Sequence, residues 1–257
     1  MTRGKVVLLT GDGEVSHAVY NALEAEFDIA RIITEKSVPR SEFLRKRVKR
    51  LGVRKVVGQL AFATLAIPLL ERTSRARVAE IQRTYDIDLS PPPPSLVHHV
   101  DSVNDPATSR LVSELAPAIV VIHGTRILSK ELLRALPRYV FNIHAGITPR
   151  YRGVHGGYWA LAKGDPTHCG VTVHLVDPGI DTGGILAQGR IHPERDDNFV
   201  TYPYLQLGLG LRLLRDRMHA ALEDRLEPLP VEPAPSQIWS HPTLLEYGLN
   251  RLKSGTK

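Results

Sequence analysis

Two short apolar runs, KVVLLT and IARIIT, flank a glycine-containing turn and the stretch SHAVYNALEAEF, whose apolar positions recur at helical spacing. That order predicts strand, turn, helix and strand, the usual opening of a parallel α/β sheet. The rhythm returns later in the chain. SRLVSELAPAIVVIHGTRILSKELLRAL predicts a helix, the buried strand AIVVIH, a loop GTR and a further helix, and PRYVFNIHA predicts the next strand. CGVTVHLVD, the loop PGIDTGG and ILAQGRI complete the sheet, and TYPYLQLGLGLRLLRDRMHAALEDRL has the spacing of an amphipathic helix. Roughly the last thirty residues contain several prolines and predict irregular structure. The expected fold is a Rossmann-like, mostly parallel α/β sheet flanked by helices. It comprises a domain over residues 1–205 with a helical insertion at 41–85, and a small C-terminal extension over 206–257.

The insertion interrupts the α/β rhythm with a basic stretch and then VVGQLAFATLAIPLL. This run is shorter than the roughly 20 residues of a membrane span, and Pro68 stands near its end. Two readings stay open: helices buried against the sheet or at a dimer contact, and peripheral attachment to an anionic membrane surface. Four consecutive prolines, Pro91 to Pro94, mark a stiff connection back to the sheet.

Charge sharpens this picture. The net charge is +6, but Arg45, Lys46, Arg47, Lys49, Arg50, Arg54 and Lys55 fall within one short segment, so the basic character is local. The rest of the composition, 42% hydrophobic and 23% charged, is that of an ordinary globular protein. A single cysteine, Cys169, excludes an intrachain disulfide and a cysteine-based zinc site, and points to a reducing cytoplasm. The opening MTRGKVVLLTGDG lacks the apolar core and cleavage site of an export signal.

The turn Gly11-Asp12-Gly13-Glu14 lacks the third glycine of a dinucleotide fingerprint and puts two acids where a phosphate would dock, which argues against NAD or FAD. Asn142 and His144, two apart on a predicted strand, face the same side at a strand end. An amide donor beside an imidazole suits a reaction that builds an oxyanion and moves a proton. Among the histidines His98, His99, His155, His168 and His174, the adjacent pair His98-His99 would point to opposite faces if extended, and no carboxylate sits at zincin spacing, so no metal is expected. His174 reads as a packed strand residue, and His155 as a candidate contact for an acceptor.

The segments GTRILSKELL, FNIHAGITPRYRG and GVTVHLVDPGIDTGGILAQ occur in that order, and with them the chain resembles the folate-dependent formyltransferases. The match lies in Asn142-Ile143-His144, Pro149-Arg150-Tyr151-Arg152-Gly153, and His174-Leu175-Val176 through Asp181-Thr182-Gly183. It extends from about His99 to Ile191, and Ala145 and Gly146 depart from the Pro-Ser that many members carry. The resemblance implies 10-formyltetrahydrofolate as donor and a triad of Asn142, His144 and Asp181. Asn142 would donate to the formyl oxygen, and His144, as imidazolium, would stabilise that oxygen or shuttle a proton. Asp181 would raise the histidine pKa and orient the amine or a water. The resemblance also implies folate contacts at Arg126, Ile127, Leu128, Val176, Asp177 and Gly179. Thr148–Pro149 lies in a turn that accommodates a cis peptide.

As acceptor the resemblance favours the primary amine of a small molecule, an amino sugar linked to a nucleotide, and not a nucleic acid. About fifty residues follow the expected core, fewer than a tRNA-binding C-terminal domain needs, and Asp12 and Glu14 would repel the phosphate of glycinamide ribonucleotide. A formyltetrahydrofolate hydrolase and a catalytically silent, membrane-peripheral binding protein are the alternatives. The extension leaves a homodimer open.

Overall fold

The computed structural model describes residues 4–231 and 233–257; residues 1–3, part of the stretch read for an export signal, lie outside it. The chain opens as expected, with β1 (Lys5–Gly11), α1 (His17–Leu23) and β2 (Asp28–Glu35). The insertion follows as α2 (Arg40–Leu51), α3 (Val53–Ala61), one π-helical turn over Phe62–Ala66, and α4 (Ile67–Tyr85). Next come β3 (Val97–Val100), α5 (Pro106–Leu115), β4 (Ile119–His123), α6 (Lys130–Ala135) and β5 (Tyr139–His144). The short β6 (Tyr151–Gly153) leads to α7 (Gly156–Ala162), β7 (Gly170–Leu175) and β8 (Ile185–Arg190). α8 (Tyr202–Leu222), β9 (Gln237–Trp239) and α9 (Leu244–Ser254) complete the chain.

Seven strands form one sheet in the order β3-β2-β1-β4-β5-β7-β8. β3 through β5 run parallel, while β7 pairs antiparallel with both β5 and β8. Both faces of β1 are covered, which is why its sequence is a continuous apolar run and not an alternation. Val6 and Leu8 face a core shared with α1 and α8, while Val7 and Leu9 face a second core with α5 and α6. β6 and β9 pair in a separate two-stranded sheet that the sequence did not announce.

The C-terminal region differs from expectation. α9 is a regular helix closed at its start by a reciprocal capping box between Thr243 and Glu246, a spacing visible in the sequence but masked by the neighbouring prolines. α8 runs across residues 205 and 206, and Leu205, Leu211, Leu214 and Met218 are buried in the same core as β1. The insertion differs as well. The uncharged run 56–70 is not a separate short segment, because α3, the π turn and α4 follow one another from Val53 to Tyr85, with Pro68 in the first turn of α4, where a missing N–H costs little. That helix is long and apolar enough by length and composition to cross a membrane. Its inner side is nevertheless bound to the protein. The π turn aims the fully buried Phe62 between Phe199 and Tyr247, and Ser74 accepts a 2.7 Å hydrogen bond from Asn198 Nδ2.

Arg77 of α4 makes a two-pronged contact with the buried Asp197 carboxylate, Nε to Oδ1 and Nη2 to Oδ2, each at 3.0 Å. Although burial acts to raise the Asp197 pKa, the Arg77 guanidinium and the Glu194 amide hold it below its usual value. Arg77→Ala would strand that charge in the core, so urea unfolding should show a loss of about 3–5 kcal/mol. Loss below about 1 kcal/mol would mean that surface screening, and not burial, governs the pair.

Candidate active site

The carboxyl ends of β4 and β5 open into a cavity of about 500 Å³, in the place where ligands bind in open α/β sheets. Asn142, His144 and Asp181 all line it, as do Arg126, Ile127, Leu128, Val176, Asp177 and Gly179. All nine expected site residues therefore meet in one space, although they come from separate segments of the chain.

The antiparallel register of β5 and β7 places Asn142 opposite His174. His174 Nδ1 donates to its neighbour Leu175 O at 2.7 Å, so in the neutral ring Nε2 is left to accept from Asn142 Nδ2 at 3.1 Å. This fixes the Asn142 amide and leaves its second N–H hydrogen for the cavity. His174 is thus a packed strand residue that also orients a site residue.

His144 ends β5 and is 5% exposed. Its Nε2 donates to Tyr151 O at 2.7 Å, which leaves Nδ1 as the basic nitrogen, 3.4 Å from Asp181 Oδ2. Asp181 sits in the left-handed region at φ 51° and accepts a 2.9 Å bond from the Gly153 amide. Arg152 Nε donates to Ile180 O at 2.7 Å, holding the same loop. The Tyr151-Arg152-Gly153 segment therefore supplies three anchors in succession, one to His144 and two around Asp181. Gly153 has φ +90°, and a Cβ there would run into Trp239 O, so only glycine fits. Gly146 answers to a similar constraint. Its Cβ would strike Tyr151 O and lie 2.8 Å from His144 Nε2, which gives the departure from Pro-Ser a local reason.

The charge state departs from expectation. Burial lowers the His144 pKa and outweighs the opposing pull of Asp181 and of the Tyr151 carbonyl, so the resting ring is neutral and not an imidazolium. For Asp181 burial acts upward, but its partners, the donating Gly153 amide among them, hold it below its ordinary value, so it stays ionised. A neutral base thus faces a fixed anion. Once a proton reaches Nδ1, both ring N–H groups have acceptors waiting.

The other loops contribute shape. Asp177 Oδ1 accepts from Gly179 N at 2.9 Å and Thr182 Oγ1 at 2.6 Å, making a rigid turn. Leu128 is buried and Ile127 is 63% exposed. Arg126 lines the cavity, but its guanidinium is turned to the buried Glu35, with Nε 2.7 Å from Oε2, and its backbone N–H also bonds Oε1. Glu35 gave no signal in the sequence, since an acid ending a strand is ordinary. His155 and His241 also line the cavity with a 3.1 Å Nε2–Nδ1 contact, and burial pushes them down to about 3 and about 4 respectively. Among the described residues no group of three or more His, Cys, Asp or Glu is placed to hold a metal.

Asn142, His144 and Asp181 thus share one cavity at the strand ends of a Rossmann-like sheet. The formyl transferase family model matches residues 5–202, and the chain belongs to that family. A methionyl-tRNA formyltransferase from Anaeromyxobacter dehalogenans is 30% identical over 71% of this chain and 62% of its own length. The chain thus spans less than two thirds of that relative. Similar solved folds include a phosphoribosylglycinamide formyltransferase from Streptococcus pneumoniae (TM-score 0.54, 20% identity, 86% of this chain and 99% of that one). A sugar N-formyltransferase from a Shewanella species also matches (TM-score 0.54, 15% identity, 90% and 75%).

The neutral ring is directly measurable. In a ¹⁵N-NMR titration of the histidine rings, His144 Nδ1 should take up its proton only below the ordinary value of 6.5, and Asp181→Asn should move the midpoint lower still. A midpoint above 6.5 would show the carboxylate prevailing over burial.

Proposed function

We propose that this protein transfers the formyl group of 10-formyltetrahydrofolate to the primary amine of a small acceptor, with an amino sugar linked to a nucleotide as the preferred class. The observation that carries the reading is the convergence of Asn142, neutral His144 and ionised Asp181 beside the 126–128 and 176–179 loops in one cavity. Its size falls in the range of small-molecule sites, and Ile122, Ile127, Leu128 and Val176 offer an apolar wall to a flat heterocycle. The bound folate would supply an activated formyl group on nitrogen.

The residues divide the work. Asn142 donates its free N–H to the formyl oxygen as negative charge grows there while the amine attacks. His144 accepts the surplus amine proton at Nδ1, and Asp181 and the Tyr151 carbonyl hold the resulting cation. The proton then passes to the departing folate nitrogen as its bond to the formyl carbon breaks, so the products are a formamide and the neutral secondary amine of the folate, with no net proton change.

For the acceptor, support comes from the first loop, where Asp12 and Glu14 oppose a phosphate of the kind glycinamide ribonucleotide would place there. The methionyl-tRNA formyltransferases among the relatives make aminoacylated tRNA the second reading. Purified protein should therefore be incubated with 10-formyltetrahydrofolate and nucleotide-linked amino sugars, glycinamide ribonucleotide or methionyl-tRNA, and the products weighed by mass spectrometry. A formylated amino sugar is the expected product. Formyl-methionyl-tRNA would move the acceptor to nucleic acid, and tetrahydrofolate with formate in the absence of any amine would make the enzyme a hydrolase.

A further inference from the structure

Between Glu42 and Glu71 the chain carries no acidic residue, seven basic ones, and an uncharged run over residues 56–70. The fold gives this segment two sides. Inward, Val56, Gln59, Phe62 and Leu70 are buried, and Gln59 Nε2 donates to His241 O at 2.6 Å at the edge of the active-site cavity. Outward, Val53 is 62%, Val57 58%, Leu65 64% and Leu69 63% exposed, one aliphatic strip at helical spacing along α3, the π turn and α4. Phe43 on the adjoining α2 is 47% exposed. Arg45, Lys49 and Arg50 on α2 and Arg54 on α3 are all exposed and without an ion pair among the described residues.

We propose that this face, formed by α2, α3 and the start of α4, seats the protein on an anionic membrane surface. The strip lies at acyl-chain depth and the α2 and α3 cations lie among lipid headgroups. A lone apolar strip would fit many partners, but here each end is positively biased, with Arg50, Arg54 and Lys55 at one end and Arg72 and Arg75 outnumbering Glu71 at the other. A second copy docked by two-fold symmetry would press cations against cations. Nucleic acid would meet the cations, but it has no use for aliphatic side chains where stacking needs aromatic ones. A membrane satisfies both parts at once. Nor does the helix span the bilayer, because its inner residues already belong to the protein core. Through Gln59 and His241 the seated helices also form part of the frame of the active site.

Sedimentation of the full chain with vesicles tests this directly. Binding should be strong on phosphatidylcholine vesicles containing phosphatidylglycerol, weak on phosphatidylcholine alone, and reduced by salt. Lys49→Gln and Arg50→Gln should each lower the partition coefficient about fivefold. Leu65→Gln and Leu69→Gln, at exposed positions, should weaken it further with the thermal unfolding midpoint unchanged. Absence of binding to anionic vesicles overturns the proposal. So does binding that is indifferent to these changes, a homodimer in sedimentation velocity that the same leucine substitutions dissolve, or tRNA binding in a gel shift without vesicle binding. None of these outcomes depends on formyl transfer.

Discussion

The site depends on the antiparallel pairing of β5 with β7. In that register Asn142 stands opposite His174, which fixes the amide, and β5 ends on His144. The buried Thr172 of β7 then closes the strand end, accepting from Thr148 N at 3.1 Å and donating to Gly146 O at 2.7 Å. A one-residue slip would turn Asn142 and His144 to the opposite face and break each of these bonds. The register thus sets both the direction of Asn142 and His144 and the course of the turn that leads to Tyr151.

From that turn the electrostatics follow. Tyr151 O takes the Nε2 proton of His144, and Gly153 N with Arg152 holds the loop that carries Asp181. Burial keeps the ring neutral, while its partners keep the carboxylate charged. A proton on Nδ1 would give each ring N–H of His144 an acceptor, Tyr151 O on one side and Asp181 Oδ2 on the other. In the proposed transfer, stabilisation that appears only as the proton moves would lower the barrier instead of deepening the ground state.

Most of the sheet was legible because its strands are buried on both faces and read as apolar runs between turns, as in KVVLLT and AIVVIH. Asn142, His144 and Asp181 were singled out by the resemblance of their segments to the family's motifs, and the fold brings them into one cavity. The net charge state of His144 was not legible, because it results from desolvation competing with a carboxylate 37 positions away in the chain, which spacing cannot weigh. The anchoring roles of Tyr151 and Gly153 rest on backbone groups, which every residue has, and the Arg152 side chain finds its partner, the Ile180 carbonyl, only in the folded chain. Glu35 and His241 reach the site only through tertiary packing. α9 was obscured by the prolines before it, and the full length of the α3–α4 helix by Pro68, which helical geometry accommodates in a first turn.

In the proposed reaction Asn142 and His144 act on the formyl group. Single-turnover transfer from 10-formyltetrahydrofolate should slow by about 10²–10³-fold in Asn142→Ala and at least as much in His144→Ala, with folate affinity nearly unchanged. Variants that transfer at the rate of the unaltered protein would contradict the account, whatever the acceptor proves to be.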